Sequence, residues 1–318
     1  MTKPNKMKAI VINEYGDASK LVAQTLPLPS IKANQVLVKV VSVGVNPIDW
    51  KTRSGLRQQR YPFKFPIILG QEMAGVVSEV GAEVTGFKPG DAVMGYGTPS
   101  NRGTYAEFYA IDADQLTHKP ITVSFQEAAG LSLAGTTAWE ALFNAGQLKS
   151  GQTVLILAGS GGVGSLAIQL AKNAGAHVIT TTSTKNIDFV TKLGADQVVD
   201  YTAADFTKEV NPVDLVFDTL GGQNQLAAFK VTKPSGRIIS IVETLPQTAE
   251  LSKQAHVYFE KMNAAPAHEI ISQLSAQLGA GKLKVPLAKQ LSFTVANVRE
   301  LHQLSETGHV VGKLILNV

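Results

Sequence analysis

The 318-residue chain contains no cysteine. That absence excludes disulfide bonds, thiolate nucleophiles and every zinc site that draws on a cysteine ligand. Histidine is scarce too: the six residues at 118, 177, 256, 268, 302 and 309 show no H-x-x-x-H pair or other ligand spacing. Charged residues make up only 17% of the chain, and the Lys and Arg residues are scattered, leaving a formal net charge of +4. A basic stripe interleaved with aromatics is missing, so no nucleic-acid partner is expected. No apolar run reaches the ~18 to 20 residues that a membrane span requires. The opening MTKPNKMKAIVINEYGD has no apolar core of a secretory signal. A cytoplasmic protein without a membrane partner is expected.

What remains is an ordinary globular composition, 44% hydrophobic, long enough for two domains. Residues 7–12 (MKAIVI) and 36–45 (VLVKVVSVGV) are β-branched, and glycine-punctuated short runs follow, as in an antiparallel β-rich first domain. From about residue 123, strand-like runs at 153–158, 177–182, 197–200, 213–218 and 236–242 alternate with helix-like segments such as 163–173 and 186–193. That rhythm predicts a parallel sheet covered by helices. Gly175 and Gly194 sit where a helix C-terminus places glycine. The segment 243–268 carries no readable period.

Gly159, Gly161 and Gly164 fit G-x-G-x-x-G between the strand at 153–158 and a helix starting near Val163. One glycine allows the tight turn, one lets backbone N–H groups approach a pyrophosphate, and one lets helix and strand pack closely. In an NAD site, an acid about 20 residues on accepts from the ribose 2′-OH. Here the second strand ends in Thr180, Thr181, Thr182, Ser183, Thr184 and Lys185. Hydroxyls and an ammonium can donate to a 2′-phosphate that a carboxylate would repel, which favours NADPH.

Seven segments, VGVNPIDWKTRSG (43–55), ILGQEMAGVVSEVG (68–81), GDAVMGY (90–96), LSLAGTTAWEAL (131–142), AGSGGVG (158–164), LGADQVVDY (193–201) and GHVVGKLIL (308–316), occur in the order found in a known family. The chain resembles the zinc-independent medium-chain dehydrogenase/reductases, in the branch of quinone oxidoreductases (zeta-crystallin among them) and plant enone oxidoreductases. The resemblance implies an α/β architecture with a GroES-like catalytic domain over 1–122 and 286–318 and a doubly wound Rossmann domain over 123–285. It further implies a homodimer joined through an edge strand of the Rossmann sheet. Zinc-dependent relatives use a cysteine near the N-P-I-D position, a histidine in G-H-E and a later cysteine. This chain has Asn46 and Gln71 at the first two, so a metal-free enzyme is expected.

Without a Lewis acid, simple alcohol oxidation is disfavoured, whereas hydride addition to an enone or quinone needs only donors for the developing oxyanion and a proton source. Within the resemblance, Asn46 is placed to donate to a substrate oxygen, Lys51 to stabilise the oxyanion, and Tyr61 to act as the acid. For the cofactor, Thr137 matches a residue at the nicotinamide end, and Gly161, Gly162, Val163 and Gly164 form the pyrophosphate turn. Thr182, Ser183, Lys185 and Tyr201 are placed at the 2′-phosphate. The lysine usual in the family aligns by spacing with Asn186, so Lys185 must reach in from the next position. Leu220, Gly221, Val242 and Lys313 complete the cofactor set, and Asp218 is read as structural. The reading is an NADPH-dependent reductase of quinones or α,β-unsaturated carbonyls. The competing reading is a nucleotide-binding, non-catalytic zeta-crystallin-like protein with an RNA-binding or structural role.

Overall fold

The computed structural model describes residues 4–318. The fold divides into two compact units, one running to Leu133 and resuming at Ala265–Val318, the other spanning Ala134–Ala264. The division falls at 133/134 and 264/265 instead of 122/123 and 285/286. The helix His268–Gly279 belongs to the first unit because it docks on the strand Leu116–His118. There Ser275 Oγ donates to the His118 carbonyl at 2.9 Å and Ser272 Oγ to Thr117 Oγ1 at 3.1 Å.

The first unit is built on a seven-stranded sheet centred on Gln35–Val45, which pairs antiparallel with Glu72–Val80, Phe108–Asp112 and the C-terminal strand Lys313–Asn317. A three-stranded sheet of Val22–Pro27, Lys6–Ile12 and Ile67–Ile68 accompanies it. Side chains such as Leu37, Val38, Val43, Ile111, Leu314 and Leu316 are fully or almost fully withdrawn from water. Each contributes roughly 1.5–3 kcal/mol of transfer free energy. Into the same core the helix Val295–Glu306 inserts Val298 and Leu301. The tail therefore rejoins the first unit, carrying Lys313 beside Val45 and Asn46.

The second unit is one all-parallel six-stranded sheet in the order Gln197–Asp200, His177–Thr182, Thr153–Ile156, Val213–Asp218, Thr232–Ser240, Tyr258–Lys261. Numbered along the unit, that order is the 3-2-1-4-5-6 of a doubly wound nucleotide fold. Its reversal falls beside Thr153–Ile156, the strand that leads into the glycine turn. The unreadable segment 243–268 contains the helix Thr248–Ala255 and the sixth, edge strand. Among the described residues no helix is long and apolar enough to cross a membrane.

Candidate active site

The chain leaves Thr153–Ile156 and turns sharply, with Ala158 in the left-handed region at φ 55°. A Cβ on Gly159 would fall 2.0 Å from Thr180 Oγ1, and one on Gly164 would fall 2.4 Å from the Ala158 carbonyl oxygen. These two glycines are required by the seating of helix on strand. Gly161 differs: a Cβ there would meet only the Ala158 oxygen, at an ordinary 3.5 Å. Its bareness leaves open space that an approaching ligand can use. The helix Gly162–Asn173 starts at Gly161 with no side-chain cap, so Gly162, Val163 and Gly164 present first-turn N–H groups and the positive end of the helix dipole. This geometry suits the pyrophosphate of a dinucleotide.

At the end of the neighbouring strand, Thr182 is buried and its hydroxyl donates to Ser160 Oγ at 3.0 Å. Asn186 also meets this corner, donating to Ser183 Oγ at 3.1 Å and to Ser160 Oγ at 3.5 Å. Lys185 lies exposed on the single turn Thr184–Asn186, and Tyr201 is 53% exposed. Asn186 thus reaches the turn residue Ser160 as Thr182 does, and neither Asn186 nor Ser160 is among the cofactor residues that the sequence reading selected. An acid is present as well, supplied by the next strand. Asp200 accepts from Thr184 Oγ1 at 2.5 Å, from Thr202 Oγ1 at 2.7 Å and from Thr202 N–H at 2.9 Å. Those donors, led by Thr184, hold its carboxyl below the usual carboxylate range.

Two more strands end on the same side of the sheet. Asp218 is fully buried and accepts from Leu220 N–H, Gly221 N–H, Gln225 Nε2 and Ser240 Oγ at 2.8 to 3.1 Å, so its role is to shape the turn. Gly221 needs its positive φ of 72°, and a Cβ on it would strike Val242 Cγ2 at 2.8 Å. Leu220 is left 47% exposed at the strand end. Thr137 sits 7% exposed on the helix Ser132–Trp139.

In the first unit, Asn46 caps the helix Pro47–Arg53 and is 4% exposed. Its Nδ2 donates to Glu72 Oε1 at 2.8 Å and to the Gly44 carbonyl at 3.4 Å, and its Oδ1 accepts from the Lys313 ammonium at 2.5 Å. Lys313 also donates to Glu72 Oε1 at 2.6 Å, and Glu72 Oε2 accepts the Leu133 N–H at 2.8 Å. The ion pair is withdrawn from water on both sides, at 3% and 0% exposure. Gly44 has no alternative, because a Cβ there would lie 2.1 Å from Glu72 Oε1. Lys313 therefore has a partner set that the sequence did not predict, and Glu72, legible only as the acid of G-Q-E, was overlooked. Lys51 is half-buried on the same helix with its ammonium over the Trp50 ring. Tyr61 stacks on Phe63 at 5.7 Å, with the Arg57 guanidinium 4.6 Å above its ring centre. Among the described residues no group of three His, Cys, Asp or Glu is arranged to hold a metal ion.

Comparison with known proteins places this geometry. A family model described as the alcohol dehydrogenase GroES-like domain matches residues 32–121, and one described as zinc-binding dehydrogenase matches 193–316. The chloroplastic NADPH-dependent alkenal/one oxidoreductase of Arabidopsis thaliana is 33% identical, over 98% of this chain and 80% of that one. The quinone oxidoreductase of Coxiella burnetii superposes with a TM-score of 0.91 at 36% identity, covering 98% of this chain and 99% of the other. The Escherichia coli quinone oxidoreductase complexed with NADPH gives 0.87 at 25% identity, covering 98% and 100%. With relatives matched along nearly its whole length, the chain belongs to the medium-chain dehydrogenase/reductase family, among its quinone and enone oxidoreductases, and is an oxidoreductase with a nicotinamide cofactor.

Proposed function

We propose that this oxidoreductase is a zinc-free, NADPH-dependent reductase of quinones or of the C=C bond of α,β-unsaturated carbonyls. The observation that carries the reading is the buried Lys313–Glu72–Asn46 cluster. Where zinc-dependent relatives place metal ligands, this chain fixes an ammonium, which repels a divalent cation and neutralises the one buried acid of the cluster. With no Lewis acid to lower an alcohol pKa, hydride transfer to an electron-poor carbon is the chemistry that such a site can support.

The turn from Gly159 to Gly164 would hold the pyrophosphate. Thr182, Ser183, Lys185 and Tyr201 would face the 2′-phosphate, while Asp200 is drawn onto Thr184 and Thr202. Thr137, Leu220, Gly221 and Val242 would flank the remaining cofactor. NADPH, when bound, supplies the hydride. Lys51 donates to the oxyanion that develops on the substrate, and Tyr61 is the candidate proton donor. Asn46 has its amide committed to Glu72, Gly44 and Lys313, and we assign it, with Lys313, to holding the helix that carries Lys51.

Following NADPH oxidation against a panel of quinones and enones, with metal analysis and chelator controls, tests this. Turnover indifferent to chelation is expected, and stoichiometric zinc or loss of rate on chelation overturns the metal-free assignment. Lys51→Met should lower kcat about 100- to 1,000-fold, the loss expected for one oxyanion donor, while NADPH affinity stays within about twofold. An unchanged kcat removes Lys51 from that role.

A further inference from the structure

Beneath the helix Pro47–Arg53 lies a second set of buried polar groups that the proposed chemistry leaves unused. Asp49, 2% exposed, accepts on Oδ2 from the Asn46 N–H at 2.9 Å and from the Tyr105 hydroxyl at 3.0 Å. The Tyr105 oxygen lies 3.0 Å from His302 Nε2, and His302 Nδ1 lies 3.2 Å from Arg53 Nη1. Tyr105 and His302 are both fully buried. Arg53 is held in turn by Glu306 at 2.5 Å and by the Gly16 carbonyl at 3.1 Å.

Donor inventory fixes the direction of every link. A guanidinium can only donate, so His302 Nδ1 must accept. Burial and the neighbouring Arg53 push the His302 pKa down to about 3, so the ring is neutral and its single proton sits on Nε2. Nε2–H then donates to the Tyr105 oxygen, and the Tyr105 proton goes to Asp49. Burial raises the Asp49 carboxyl to about 7, while the Asn46 N–H and the Tyr105 hydroxyl pull it back toward the charged form. Glu72 on its strand raises it further, and Lys313 on the C-terminal strand lowers it. On the following loop, Arg57 faces the same carboxylate.

We propose that Tyr105 and His302 are positioning residues for the reductase: a one-way hydrogen-bond relay anchored on Arg53 clamps the Asp49 carboxylate onto the Asn46 N–H and so fixes the turn that carries Asn46 and Lys51. The proposal rests on the assignment of Lys51 above, and its tests separate the two. In protein labelled with 15N-histidine, His302 should give the signals of a neutral Nε2–H tautomer from pH 5 to 8. An imidazolium or an Nδ1–H tautomer overturns the relay whatever the activity. Tyr105→Phe should lower kcat about 10- to 100-fold with NADPH affinity unchanged. It should also move the acid limb of the kcat profile to higher pH, since Asp49 loses a donor that favours its charged form.

His302→Gln keeps an acceptor toward Arg53 and a donor toward Tyr105, so it should retain kcat within about threefold, whereas His302→Leu breaks the sequence of donors and should match Tyr105→Phe. Tyr105→Phe folded, binding NADPH and turning over at the wild-type rate with an unmoved limb overturns the proposal. Should His302→Leu fail to fold, His302→Gln and the tautomer measurement still decide. No turnover by the wild type sinks the reductase reading instead, and the tautomer then judges the relay alone.

Discussion

Two adjacent side chains at the end of the strand His177–Thr182 put the proposed 2′-phosphate site to the test. Lys185 carries the charge but lies exposed, whereas Asn186 reaches Ser183 and Ser160 without one. Lys185→Ala should weaken NADPH more than NADH, and Asn186→Lys, which puts an ammonium beside both serines, should strengthen NADPH selectively. A charge-assisted bond of roughly 1.5–3 kcal/mol corresponds to about 10- to 100-fold in dissociation constant. Calorimetric titration of each variant with both coenzymes checks this, and equal changes for the two remove these residues from the 2′ site. The local sequence displays the hydroxyl run and the missing acid of this strand. It cannot display Asp200, which reaches Thr184 from the next strand across 16 positions. Still less can it display Lys313 on Asn46, 267 positions away. Such meetings are made by sheet pairing, here Lys313–Asn317 against Gln35–Val45.

The glycine turn tests how a helix sits on its strand. Gly164→Ala would drive a Cβ into the Ala158 carbonyl and to within 2.8 Å of Gly159 Cα, backbone with nowhere to move. It should cost about 1–3 kcal/mol of stability, the usual penalty for overpacking. Gly161→Ala meets no such obstacle and should leave the urea midpoint unchanged while weakening NADPH at least about tenfold, since the methyl would occupy the space proposed for the pyrophosphate. Fluorescence titration beside urea unfolding distinguishes them, and a Gly161→Ala variant that binds normally shows that the turn does not carry phosphate. Elements of this kind are legible because the strands 177–182 and 213–218 are buried β-branched runs with sharp ends. The edge strand Tyr258–Lys261 is not. It has one neighbour, its side chains are exposed or half-buried, and Glu260 and Lys261 break any apolar alternation. The helix His268–Gly279 shows a readable apolar face, but nothing local says which sheet covers it.

Asp49 and His302 make the stability of the molecule depend on pH in opposite senses, although one relay holds both. The Asp49 carboxyl rises from 3.8 to about 7 on folding, so the native state keeps a proton that the unfolded chain has released. Its contribution is complete below about pH 4 and is lost as pH rises toward 7. His302 falls from 6.5 to about 3, so the unfolded chain binds a proton that the native state refuses. Its contribution is complete above pH 6.5 and is lost as pH falls toward 3. Each amounts to about 4 kcal/mol in full, from shifts of roughly three units at about 1.4 kcal/mol per unit. Between pH 4 and 6.5 the two slopes cancel, and the wild-type curve conceals both. His302→Gln removes one titration while preserving the donor and acceptor pattern. Relative to wild type its unfolding free energy should therefore fall by about 3 kcal/mol as pH rises from 4 to 6.5, exposing the Asp49 slope. Urea unfolding of both proteins across that range measures the difference. Curves that stay parallel mean that His302 is protonated in the fold, so that its Nδ1 cannot accept from Arg53 and the relay loses its anchor.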